Sequence, residues 1–185
     1  MITSDRLELI LLSPQAIDAL LEGRRADAER ELDAPIPADW PDEHDAGFLR
    51  YRQRQLERAP QSEPWLVRAV IRREPTRAMI GHAGFHGQPG VNGKQDPDAV
   101  EVGYTIFEPH RGRGYATEAA QALIDWAAAE KGIGRFVASV SPSNDPSLAI
   151  VKKLGFVQTG EQWDEEDGLE LVFELDRGPS QSSSS

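Results

Sequence analysis

Apolar residues along the chain fall into two rhythms, one of period two and one of about 3.6, and their alternation predicts the elements. Residues 6–12 read as a short apolar strand. Pro14 suits the first turn of a helix, which Ile17, Leu20 and Leu21 carry to about residue 30. Pro35, Pro37 and Pro41 make the next stretch irregular. Residues 42–58 return to the helical rhythm with Phe48, Leu49, Tyr51 and Leu56. Residues 65–72 alternate as a half-buried strand does, and 78–85 and 99–107 are two more strands. Between the last two, the Gly-, Pro-, Asn- and Asp-rich stretch 87–98 reads as a long hairpin loop. Ala116, Ala119, Ala120, Leu123 and Ala127 place a strong helix over 115–131, ended by Gly132 and Gly134. A strand over 135–140 and a short helix over 146–154 follow, the helix with Pro146 in its first turn, Asp145 as its N-cap and Gly155 as its stop. Strands over 156–162 and 169–176, joined by an acidic turn at 164–168, complete the order. The series is an α+β or mixed α/β layer rather than a regular βα repeat.

Length and charge narrow this picture. With 185 residues the chain is one unit, about 1–177, and the serine-rich end 178–185 is expected to hang free as a disordered tail. A net charge of −11 argues against a general nucleic-acid binder, which needs a basic face. The absence of cysteine excludes disulfides, thiolate metal sites and a cysteine nucleophile. The first residues lack the basic and apolar regions of a secretory signal, and no apolar run approaches the about 20 residues that span a bilayer, so no membrane contact and a cytoplasmic location are expected.

Candidate chemistry concentrates where the strand over 99–107 hands over to the helix at 115. A turn with Gly112 and Gly114 precedes the free N–H groups of a helix N-terminus, with Arg111 and Arg113 adjacent, which is an anion-binding arrangement. A P-loop would need Gly-Lys-Ser/Thr, and no lysine lies there. A dinucleotide fingerprint would need glycine where Thr117 stands. The pyrophosphate arm of another cofactor remains, beside the plainer possibility of a turn that merely joins two elements.

The run Arg111-Gly112-Arg113-Gly114-Tyr115-Ala116 resembles the Arg/Gln-x-x-Gly-x-Gly/Ala signature of the GNAT superfamily of acyl-CoA N-acyltransferases. Asn144-Asp145-Pro146-Ser147, followed by Val151-Lys152-Lys153-Leu154-Gly155-Phe156, resembles its second motif. With Gly103-Tyr104, the set is similar to the Rim-type branch, which contains the ribosomal-protein N-terminal acetyltransferases. The resemblance implies a central mixed, mostly antiparallel sheet with a V-shaped splay, flanked by helices. It implies acetyl-CoA as cosubstrate, its pyrophosphate held by the amides of Arg111, Gly112, Arg113, Gly114, Tyr115 and Ala116. It places the pantetheine arm between the strands over 100–107 and 135–140, with Asn144 bonding that arm. The backbone near Val102 would polarise the thioester carbonyl. Direct attack of an amine on the thioester then needs a group to take the amine's proton. Glu101 is the candidate base. Period two puts it on one strand face with Gly103 and Thr105, and a solvated strand face is the alternative reading of that position. Many superfamily members carry a tyrosine at the position of Val151, which has no proton to give. Ser147, one helical turn earlier, is the candidate to serve the leaving thiolate, or else helps cap its helix.

Other residues read more simply. On a strand, His82 and His86 lie about 13 Å apart, too far to share a metal ion, so no metal is expected, although His86 and His110 could touch substrate. Trp40, Trp65, Trp126 and Trp163 read as core. Arg50, Arg52, Arg54 and Arg58 read as a solvated helix face. The expected activity is acetyl transfer to a primary amine, of a peptide N-terminus or a small molecule, and a homodimer is compatible with it. The acceptor pocket is expected from the segments 24–48, 87–98 and 164–168. The alternative is a catalytically weak acyl-CoA-binding sensor or interaction protein, which the missing tyrosine keeps open. A structural domain with no coenzyme site is the third reading.

Overall fold

The computed structural model describes residues 1–165 and 168–178. The strands are β1 (Ile2–Thr3), β2 (Leu7–Leu11), β3 (Arg68–Arg72), β4 (Ala78–Phe85), β5 (Ala99–Ile106), β6 (Arg135–Val140), β7 (Val157–Asp164) and β8 (Gly168–Asp176). The α-helices are α1 (Pro14–Leu21), α2 (Arg25–Leu32), α3 (Glu43–Arg58), α4 (Tyr115–Lys131) and α5 (Asp145–Lys153). One sheet of order β1-β2-β3-β4-β5-β6-β8-β7 holds all the strands, and every pair is antiparallel except β5–β6. The expected mixed, mostly antiparallel sheet is therefore present.

Several boundaries differ from the sequence reading for local reasons. The helix expected over 14–30 is two helices, because Gly23 takes a left-handed φ of +74° between them. The strand expected from residue 65 begins at Arg68, since Pro60–Trp65 is a 3-10 turn. The N-cap of α5 is Asn144, whose side chain accepts from Ser147 N at 3.1 Å; Asp145, read as the cap, is the first helical residue. Trp163, read as core, is 77% exposed on β7, whereas Trp40 is buried and Trp65 and Trp126 pack against the core. The acidic turn includes Glu166 and Asp167, and the tail includes 179–185; these lie outside the described residues.

Two apolar clusters coat the two faces of the sheet. On one face α4 and α5 cover Leu7, Leu9, Val70, Val100, Val102 and Ile106. On the other, α1, α2 and α3 cover Ala69, Ile71 and Met79. A register shift at Val70/Ile71 against β4 changes which β4 residues face which way. Beyond it Ala83 and Phe85 join the α4 face, so His82, Gly84 and His86 turn toward α3. The arginines of α3 are not uniformly solvated. Leu49, Arg52 and Leu56 form its buried stripe, and Arg52 is only 7% exposed, because the spacing i, i+3, i+7 places all three against the sheet.

Candidate active site

The strand pair β5–β6 opens partway along. Their parallel pairing covers Ala99↔Arg135, Val100↔Phe136 and Glu101↔Val137, then stops. β6 continues to Val140 in register with β8, and β5 continues to Ile106 in register with β4, so the two strands diverge, each with its outer partner. Glu101 turns its carbonyl to the β4 side, where it accepts from His86 N at 2.8 Å. In an antiparallel ladder the next residues alternate, so backbone groups of Val102 and Tyr104 point the other way, into the opening. Unpaired backbone in such a gap can form a ladder with an extended, amide-bearing ligand.

The glycine turn lies at the end of β5. Gly112 and Gly114 have φ of +72° and +80°, which a residue with a Cβ takes only at a cost, and a 3-10 turn at Glu108–His110 leads into them. The first rung of the α4 ladder is Glu118 N to Gly114 O at 3.0 Å, so the amides ahead of it have no rung to fill. Residues 111–114 are exposed, while Tyr115 packs inward. The turn is fixed from behind. Arg6 pairs with Glu118 at 2.6 Å, donates to Arg113 O at 3.1 Å and lies 4.5 Å over the Tyr115 ring. Arg111 Nε donates to Ile106 O at 2.9 Å, tying the turn to β5. An anion at these amides would meet the positive end of a 17-residue helix.

Asn144 and Ser147 sit at the start of α5. Asn144 is exposed and uses its carbonyl oxygen as the cap, leaving its amide nitrogen to solvent or a ligand. Burial raises the Tyr104 phenol above its ordinary acidity range, and the nearby Ser147 hydroxyl works against that shift. Val151 is fully packed in the core, so it offers no polar group. Tyr104, a residue the sequence reading gave no role, is thus a phenol on β5 at the opening.

On the α3 face lies a cleft of about 340 Å³, lined among others by Asp45, Phe48, Arg52, His82, His86 and Thr105. The β4–β5 register sets its floor. Gly84 stands opposite Gly103, with His82 opposite Thr105 on one side and His86 beside Glu101 on the other. A Cβ on Gly84 would stand 2.5 Å from Leu66 O, and one on Gly103 would stand 3.3 Å from His86 Nε2. The two glycines leave bare backbone under the cleft, and the His86 ring hangs over that gap.

Glu101 is 2% exposed, so the solvated-face reading fails for it. Its Oε1 accepts from Ser139 Oγ at 2.5 Å, its Oε2 accepts from Gly93 N at 2.7 Å, and His86 Nδ1 lies 3.7 Å from Oε2. Gln162 donates to Ser139 Oγ at 3.0 Å and to Glu170 at 2.9 Å, extending the network across β6, β7 and β8. The 87–98 loop closes over the carboxylate, held by Asn92, whose Nδ2 donates to Asp96 O and Ala99 O at 2.8 and 3.0 Å, and by the ion pair of Lys94 with Glu174. His86, by contrast, keeps 48% of its side chain open. Surrounding atoms desolvate the ring and hold its pKa below the ordinary value; the Glu101 charge opposes that shift, and Arg52 adds to it. His82 stacks on Phe48 at 5.1 Å and faces Asp45 at 3.8 Å, and that contact holds the Asp45 carboxyl below the usual range despite partial burial. His110, beside the glycine turn, has a buried Nδ1 without a partner among the described residues, and burial with the charges of Arg72 and Arg113 lowers its pKa.

The candidate residues therefore divide between the faces. The turn 111–116, Asn144, Ser147 and Tyr104 lie on the α4–α5 side and Glu101 and His86 on the α3 side, with the β5–β6 opening between them. Among the described residues no group of three His, Asp or Glu side chains could hold a metal ion. None of the helices of the described residues is long and apolar enough to cross a membrane.

Residues 6–157 match the model of the Acetyltransferase (GNAT) domain family. An uncharacterized N-acetyltransferase of Bacillus subtilis, YjdG, is 26% identical over 157 residues, covering 85% of this chain and 89% of its own. A solved Bordetella pertussis protein assigned to the GNAT-family acetyltransferases superposes with a TM-score of 0.64 at 27% identity, covering 94% of this chain and 97% of its own. A ribosomal-protein-S5-alanine acetyltransferase of Vibrio fischeri shares the fold, with a TM-score of 0.63 at 16% identity over 99% of this chain and 98% of its own. With the splayed sheet, the glycine turn and a family match over most of its length, the chain belongs to the GNAT family of acetyltransferases.

Proposed function

We propose that the protein transfers an acetyl group from acetyl-CoA to a primary amine by direct attack. The observation that carries this reading is the stop in the β5–β6 pairing after Glu101, with the exposed glycine turn and the start of a 17-residue helix following β5 and with the His86–Glu101 contact beside it. Amides from Gly112 to Ala116, with Arg111 and Arg113 nearby, hold the diphosphate of the coenzyme. The pantetheine arm runs along the free edges of β5 and β6, with Asn144 at its side. The thioester reaches the opening, where an amide of the Val102–Tyr104 backbone receives the developing charge on its carbonyl oxygen.

The amine enters from the α3 cleft over Gly84 and Gly103. His86 Nδ1 faces Glu101, which leaves Nε2 as the proton acceptor toward the cleft, and desolvation by the protein atoms around the half-open ring lowers its pKa, which favours the neutral ring at neutral pH. The 3.7 Å contact shortens when the ring takes the proton, because Glu101 then faces a cation. The amine nitrogen forms its bond to the carbonyl carbon as its proton passes to His86, and the carbon–sulfur bond breaks as the intermediate collapses. The departing thiolate takes a hydrogen bond or proton from the Ser147–Tyr104 pair.

Incubation with acetyl-CoA and a panel of amines, followed by mass spectrometry of the products, tests the reading. Acetylated amine with release of free coenzyme is expected. Tight acetyl-CoA binding without transfer to any amine would overturn it in favour of an acyl-CoA sensor.

A further inference from the structure

We infer that Arg52 is an anion subsite of the acceptor cleft, and that the preferred acceptor is an amine that also carries a carboxylate. This rests on the transferase reading of the same cleft and adds the class of molecule the cleft selects.

Arg52 is 7% exposed and lines the cleft beside His86. Its Nη1 donates to Gln55 Oε1 at 2.8 Å and to His86 O at 2.9 Å. Its Nε is buried and has no hydrogen-bond partner among the described residues. No carboxylate of the described residues forms an ion pair with it; its charge rests on two neutral oxygens and on the rings of Phe48 at 4.9 Å and Tyr51 at 5.5 Å. Burial pushes its pKa down to about 10, as it does that of the other buried arginine, Arg68, so the two are told apart by their surroundings. The carboxylate of the same cleft, Asp45, faces His82 instead. Buried charges are ordinarily paired, so a guanidinium left this way at a cleft wall is arranged for a charge that arrives with a ligand.

A second buried arginine shows what a structural role looks like. Arg68 donates to Leu66 O and Pro64 O and stacks 4.6 Å over Trp126, it is absent from the cleft wall, and none of its buried nitrogens lacks a partner. Arg52 differs in both respects. Its position also fits the geometry of transfer. Because Arg52 grips the His86 carbonyl, an anion bound at Arg52 lies near the ring that receives the amine's proton. A cleft of about 340 Å³ suits a compact amine such as an amino acid, or the first residues of a peptide with an acidic side chain. Guanidinium pairs well with carboxylate through paired donors, and Arg52 has donors left to give.

The test measures kcat/KM with acetyl-CoA for two matched pairs: leucine against leucinamide, and the peptide amides Ala-Glu-Ala against Ala-Gln-Ala. The first pair reads a free α-carboxylate, the second an acidic side chain. The expected result is a preference of about tenfold or more for the charged member of one pair, the size of a charge-assisted contact. Arg52→Gln is expected to collapse that ratio toward one, and Arg52→Lys to retain part of it. A ratio near one in the wild type for both pairs would overturn the inference, as would an Arg52→Gln variant that slows both members alike and leaves the ratio intact, since a purely structural arginine would do that. Calorimetry of N-acetyl-leucine against N-acetyl-leucinamide, without coenzyme, reads the subsite independently of turnover. Preference for the carboxylate there, with no transfer to any amine, would sustain the subsite and refute the transferase reading. Transfer without preference would do the reverse. If Arg52→Gln does not fold, the wild-type ratios and the Arg52→Lys ratio decide.

Discussion

Replacing Glu101 by glutamine probes the reacting centre with almost no change of volume. The carboxylate accepts at both oxygens, from Ser139 Oγ at 2.5 Å and Gly93 N at 2.7 Å. A glutamine retains one acceptor, and its amide group meets a donor on the other side. With the side chain 3% exposed, water cannot repair the mismatch, and a stability loss of about 1–3 kcal/mol follows. The catalytic effect is separate. A well-placed acid–base group contributes about 10²- to 10⁴-fold, or about 3–5 kcal/mol of barrier, and in the proposed mechanism Glu101 stabilises the protonated His86. The sign of the pH effect follows from the same contact. Glu101 raises the His86 pKa, against burial and Arg52, which lower it. Without the charge the ring titrates at still lower pH, so the acidic limb of kcat/KM moves further toward acid while the plateau falls. The assay is acetyl transfer across pH 5 to 9, with thermal unfolding as a check on folding. Ser139→Ala is the control, since it removes a hydrogen bond to Glu101 but leaves the charge. A Glu101→Gln enzyme with full rate and an unmoved limb would refute the role given to both residues.

Three further outcomes are expected. His86→Ala removes the acidic limb itself, which lies below the ordinary histidine value near 6.5 because desolvation by the atoms around the half-open ring disfavours its charged form, and a limb that persists in this variant would assign it elsewhere. Tyr104→Phe and Ser147→Ala each lower kcat by about 10²-fold, and the double variant is no slower than the worse single one, because the two hydroxyls act as one unit; multiplicative losses would separate them. Gly84→Ala places a Cβ 2.5 Å from Leu66 O and lowers stability by about 1–3 kcal/mol in urea unfolding, and an unchanged midpoint would contradict the packing of β4 against residues 66–67.

The fold was largely legible because its strongest signals are local. The apolar stripe of α4 and the alternation in β4 and β5 place those elements within a residue of where they lie. The turn at Gly112 and Gly114, both at positive φ, was legible for the same reason. Asn144 shows the limit of such rules, since it and Asp145 are both good caps and only the chain path decides which side chain accepts from Ser147 N. What period two could not show was the partner across the ladder. It put Glu101 on the face of Gly103 and Thr105, but His86 reaches that face only through the register shift near Val70, which no propensity reports. The covering of Glu101 by Gly93 depends on a loop whose path is set by Asn92 and Lys94. Arg52 was misread because arginine is common on solvated helices, although its i+3 and i+4 spacing from Leu49 and to Leu56 marks the buried stripe.

Everything proposed for the chemistry depends on where the coenzyme's diphosphate rests. A crystal structure of the protein soaked with coenzyme A measures this directly. Diphosphate oxygens are expected within hydrogen-bonding distance of the amides from Gly112 to Ala116, with the pantetheine arm lying between β5 and β6 and its sulfur at the opening beside Glu101 and His86. A diphosphate bound elsewhere, or an opening filled by side chains while the coenzyme lies on another surface, would contradict the proposed chemistry.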